Sequence, residues 1–122
     1  MFDENEKISE GTCFCVFNNG KVFTAAHVVT GRYPICQRDV RDPNVKYFVK
    51  FPGIPCLEYK VDFCAITIRV EAFSEPVQLD MAVLLPKQSS NIEFPTIKIN
   101  LEPPYLGEEV FIAGYSDELK LP

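Results

Sequence analysis

The sequence predicts an all-β domain, an antiparallel β-barrel of six short strands. Three observations carry this expectation. Short alternating or continuous apolar segments recur along the chain, turn signals separate them, and ten prolines interrupt every stretch that could sustain a helical period over three turns.

The first two strands are expected at 11–17 and 21–25, because Asn18-Asn19-Gly20 stands between two apolar runs and Asn-Gly there is a strong hairpin signal. Ala25 to Thr30 follows as one helical turn, with Gly31 supplying the left-handed residue that closes it. In "VKYFVKF" Val45, Tyr47, Val49 and Phe51 share one face and Lys46 and Lys50 the other, so 45–51 is a strand with one wet side. The stretch 57–70 alternates as well, with Cys64, Ile66, Ile68 and Val70 on one face. "MAVLLP" at 81–86 is continuously apolar, as a strand buried on both faces would be, and "EVFIAGY" at 109–115 is the expected sixth strand. Residues 1–10 are expected to be a polar amino-terminal segment, 11–116 the barrel, and 117–122 the start of a linker. The rings of Phe14, Phe17, Phe23, Tyr47, Phe51 and Phe111 are expected to fill the barrel.

Composition narrows the function. The chain has 122 residues, one domain's worth, and 47% hydrophobic with 24% charged residues is the balance of an ordinary globular protein. A net charge of −5 without a basic cluster disfavours nucleic acid and anionic lipid as partners. The start, "MFDENEKISE", is acidic and polar, unlike a secretion signal, and no apolar run approaches the ~20 residues of a membrane span. A cytoplasmic location without membrane contact is the expectation. The five cysteines, at 13, 15, 36, 56 and 64, lack metal-site spacing, and Cys13 and Cys15 share a strand face where a bond between them would be strained. They are expected to be small buried apolar residues in a reducing compartment, with no metal and no cofactor.

His27 is the sole histidine, set in "FTAAHVVTG" at the end of the second strand. Asp80 stands directly before the apolar run 81–86, where a carboxylate carries a desolvation cost unless a donor bonds it. An imidazole N–H is such a donor. A carboxylate accepting from Nδ1–H fixes the tautomer and leaves Nε2 free to take a proton from a hydroxyl, and free imidazole, with a pKa of ~6.5, suits that work at neutral pH.

"GTCFCVFNNGKVFTAAHVV", "DMAVL" and "LGEEVFIAGY" together resemble the amino-terminal half of a trypsin-like serine protease, nearest in flavour to the HtrA-like branch. The similarity runs from Gly11 to Tyr115. It implies a six-stranded Greek-key barrel, the first of the two in a chymotrypsin-like fold, with the active site in the cleft between them. Carried over, His27 matches the general base and Asp80 the carboxylate that orients it; Thr24, Ala25 and Ala26 match the small residues behind the histidine, and Gly107 and Gly114 match positions late in the segment. A lone histidine among apolar residues is more often a bonded core residue, and the plain alternative for Asp80 is an ordinary cap or loop carboxylate at a strand entrance. "TAAH" paired with "DMAVL" favours the working reading.

The departures are specific. No G-x-S-G-G-like motif occurs: Ser9, Ser74, Ser89, Ser90 and Ser116 all lie outside glycine-rich turns, and Ser89-Ser90 is expected in a solvated loop. Cys13 stands where many relatives carry glycine, and Val28 where secreted trypsins carry a cysteine. The resemblance therefore implies half of a serine endopeptidase acting on polypeptide, inactive alone because nucleophile, oxyanion hole and specificity pocket come from a second barrel. The alternative is a non-catalytic barrel that binds a partner or self-associates through the face a second barrel would cover.

Overall fold

The structure, a computed structural model, describes residues 1–31, 37–88 and 92–115. Its elements in chain order are β1 (Phe2–Asp3), β2 (Glu6–Lys7), β3 (Phe14–Cys15), β4 (Val22–Thr24), α1 (Ala26–Thr30), β5 (Val45–Val49), β6 (Leu57–Ile68) and β7 (Val77–Pro86). They form one antiparallel sheet in the order β2-β1-β5-β6-β7-β4-β3. β5, β6 and β7 run as a meander while β4 lies beside β7, so the chain crosses from one side of the meander to the other between β4 and β5. That is Greek-key connectivity. Cys15 of β3 and Tyr47 of β5 belong to one buried cluster although three strands separate them in the sheet, so the sheet curls into a half-barrel around its core.

Seven strands replace the expected six, and the difference lies at the two ends of the chain. Residues 109–115 form no strand, and Phe111 and Ile112 are 88% and 101% exposed. An apolar run reads as a strand in sequence, but a strand exists only where a neighbour offers a ladder. Here the recorded tie is to a side chain, the Tyr115 N–H donating to Thr12 Oγ1 at 2.6 Å. At the other end, β1 and β2 form a hairpin within the segment read as merely polar, β1 pairs with β5, and Met1 is buried in the core. Its two loop residues, Glu4 and Asn5, have φ of 48° and 70°, the double left-handed step of a tight primed turn. Two-residue strands are too short to leave a periodic signal.

The core follows the alternation. Val45, Tyr47 and Val49 point inward while Lys46 and Phe48 are exposed, and Ala82, Val83 and Leu84 are all buried, so β7 is covered on both faces. β6 changes phase midway: Val61 faces Leu84 and Phe63 faces Val83, so an extra residue bulges out between them. Tyr59 is therefore buried on odd numbering, Cys64 joins the core on even numbering, and Ile66 and Ile68 remain exposed. Tyr59 is fully buried, and its hydroxyl donates to Gly20 O at 2.8 Å.

The expected aromatic filling holds for Tyr47 and Phe51 and fails for Phe14, Phe17 and Phe111, which are exposed. On β3 the strand period turns Cys15 inward, so Phe14 faces outward and stacks on Phe23 across the β3–β4 pair with ring centres 5.5 Å apart. The thiols Cys13 and Cys15 pack the interior instead, and Cys56 is a correction to the buried reading because it is exposed. Cys36, Ser89, Ser90, Ser116 and the expected linker at 117–122 lie outside the described residues.

Candidate active site

β4 ends at Thr24, whose hydroxyl donates to Thr12 O at 2.8 Å, and Ala25 is still extended (φ −79°, ψ 144°) when α1 begins. The single turn then buries Ala26, Val29 and Thr30 and turns His27 outward, with its side chain 41% exposed. Gly31 closes the turn at φ 81°, its N–H donating to His27 O at 2.9 Å. Gly11 passes directly over this turn: a Cβ there would stand 2.7 Å from Val28 Cγ2, so any larger residue would force the Val28 side chain to shift.

Asp80 arrives from the other side of the sheet through a second irregularity. Ala65 faces Met81 and Thr67 faces Gln78, so β7 spends one more residue than β6 over this step. The excess is absorbed at Asp80, which has φ 45° in the left-handed region. This bulge bends β7 and aims the carboxylate at α1. Asp80 Oδ1 accepts the His27 backbone N–H at 3.0 Å, and Oδ2 lies 2.8 Å from His27 Nδ1. The bond from the His27 ring is the largest of the effects that hold the Asp80 carboxyl below the ordinary carboxylate range; partial burial works against it, and the amides of His27 and Ala26 and the charge of His27 add to it.

An ionised carboxylate only accepts, so Nδ1 carries the ring proton and Nε2 of the neutral imidazole is left as an acceptor. Among the described residues no group is recorded bonding Nε2. The two residues singled out in the sequence thus meet. Residues 11–122 match the family model described as a trypsin-like peptidase domain. The chain belongs to the trypsin-like peptidase family. Neither a curated protein nor a solved structure matches it.

Within this trypsin-like peptidase domain the Ser9 hydroxyl donates to Val28 O, and burial pushes the Cys13 thiol up to about 11, with the neighbouring Cys15 adding to it. Burial, then the charge of Asp80, raises the Cys64 thiol. Among the described residues no three His, Cys, Asp or Glu side chains converge as metal ligands, and no helix is long and apolar enough to cross a membrane. A cavity of about 670 Å³ opens behind α1, lined by Val22, Val28, Val29, Tyr47, Val49 and Leu84 among others; neither His27 nor Asp80 lines it.

The bulge that sets Asp80, the Gly11 approach and the hydroxyls of Ser9 and Tyr47 behind the turn were missed in sequence reasoning. A glycine two residues after a serine was the only local trace of that packing, and it is too common to signal it.

Proposed function

We propose that the chain is the amino-terminal half of a trypsin-like serine endopeptidase, with His27 as general base and Asp80 as its orienting carboxylate in hydrolysis of a polypeptide substrate. The observation that supports this most is the 2.8 Å contact of Nδ1 with Asp80 Oδ2, which leaves Nε2 open within a trypsin-like peptidase domain. A serine hydroxyl brought to Nε2 gives up its proton to the ring as its oxygen attacks the peptide carbonyl carbon. Asp80 stabilises the imidazolium that results, and the same proton then passes to the leaving amine. The serine, the oxyanion-hole amides and the specificity pocket belong to a second barrel outside these residues. The 122 residues alone are inactive, and four free thiols among the described residues favour a cytoplasmic setting.

A fluorophosphonate probe tests the assignment. It leaves the 122-residue chain unlabelled, labels the protein carrying the second barrel, and fails again once His27→Ala is introduced there. Undiminished labelling of that variant removes His27 from the mechanism.

A second reading is supported by the apolar surface. Phe14, Phe63, Leu106, Phe111 and Ile112 are exposed large side chains, more than a freely solvated domain ordinarily presents. On this reading the barrel binds a partner or a second copy without catalysis. Light scattering that shows a stable dimer, together with an inactive full-length protein, would favour it.

A further inference from the structure

The turn that carries His27 is too short to hold itself. Five residues sustain almost no intrahelical bonding, and an isolated helix of this length is unstable in water. Yet each of its carbonyls has a donor. Ala26 O accepts from Thr30 Oγ1 at 3.1 Å, His27 O from the Gly31 N–H at 2.9 Å, and Thr30 O from the Arg38 N–H at 2.5 Å. The two between them are served from distant parts of the fold: Val28 O accepts from Ser9 Oγ at 2.5 Å and Val29 O from the buried Tyr47 hydroxyl at 2.7 Å.

We infer that the hydroxyls of Ser9 and Tyr47 are positioning residues for His27, clamping the two carbonyls that follow it so that its ring stays seated on Asp80. The inference rests on the reading of His27 as general base. Besides the Arg38 N–H on Thr30 O, three side-chain anchors from three regions hold the turn: Asp80 from β7, Tyr47 from β5, and Ser9 from the segment that leads from the amino-terminal hairpin into β3. Fewer would leave a single turn free to rock about the remaining bonds, and small displacements of a catalytic group are costly to rate. Both hydroxyls act from behind the turn, on its carbonyls, so neither touches a substrate. Burial, the largest effect, pushes the Tyr47 phenol up to about 12, so it remains a donor throughout the neutral range.

The sole histidine makes the test direct, since nitrogen NMR of the 122-residue chain shows one imidazole. Tyr47→Phe and Ser9→Ala are compared with the parent chain for the rate at which the Nδ1 proton exchanges with water. Each variant is expected to raise that rate by about threefold or more, with amide signals distant from the turn unmoved and with Ser9→Thr restoring the parent rate. Smaller increases in both overturn the inference. Should Tyr47→Phe fail to fold, Ser9→Ala, at a half-buried position, decides alone. Because the readout needs no turnover, the two readings fail separately. Faster exchange alongside full proteolysis by a His27→Ala variant of the longer protein would end the protease assignment and leave the clamp, whereas unchanged exchange would end the clamp and leave the assignment.

Discussion

Asp80 holds His27 by two atoms at once, Oδ1 on the backbone N–H at 3.0 Å and Oδ2 on ring Nδ1 at 2.8 Å. One bond places the main chain and the other turns the ring, so a single carboxylate sets both position and orientation. The left-handed backbone at Asp80, φ 45°, is the conformation through which this grip is achieved.

Asp80→Asn separates geometry from charge. Asparagine tolerates the left-handed backbone better than most residues, and its carbonyl oxygen can keep the His27 N–H, so the variant folds. Its amide donates toward Nδ1, which moves the ring proton to Nε2 and blocks the base role proposed for His27. In a protein that joins this chain to the second barrel proposed above, kcat/KM for a peptide substrate should fall by about 10³ to 10⁴. Near-normal turnover would remove Asp80 from the mechanism.

The same carboxylate sets an acid limit on stability. Its folded pKa lies below the ordinary value because the His27 ring bonds it, so its contribution is present above ~3.9 and is lost as pH falls through the depressed folded pKa. Urea midpoints of the parent chain and Asp80→Asn should differ at pH 6 and converge at the acid end, as pH falls through the lowered folded pKa of Asp80. A gap that widens on acidification would contradict this sign.

Gly20→Ala should destabilise the β3–β4 hairpin twice over. Gly20 has φ 85°, and a Cβ there would stand 2.6 Å from the Phe94 ring. The backbone strain and the displaced ring together cost about 2–4 kcal/mol, measured by urea unfolding. A loss under about 0.5 kcal/mol would mean that Phe94 does not pack beneath this turn.

Thiol modification should be ordered by burial. Cys56 is exposed, whereas Cys13 is pushed up to about 11 and Cys15 is buried and raised as well. Peptide mapping after brief maleimide treatment should find Cys56 modified more than about tenfold faster than Cys13 or Cys15. Equal rates would show that β3 opens readily.

Much of this protein was legible in one dimension. Alternation revealed the inward face of β5, the continuous apolar run at 81–86 a strand covered on both faces, Asn19-Gly20 marked the hairpin, Gly31 marked the end of the histidine turn, and "TAAH" with "DMAVL" named the pair that meets. These are local signals, set by the period of the backbone and the steric freedom of glycine. The tertiary structure decided what depends on a neighbour. It enlisted Met1 and the short hairpin β1–β2 into the sheet and left the equally strand-like 109–115 without a ladder, because hydrogen bonding between strands depends on who stands alongside. It also aimed the carboxylate: the extra residue in β7 at Asp80 exists only relative to its pairing with β6, and no reading of either strand alone contains it.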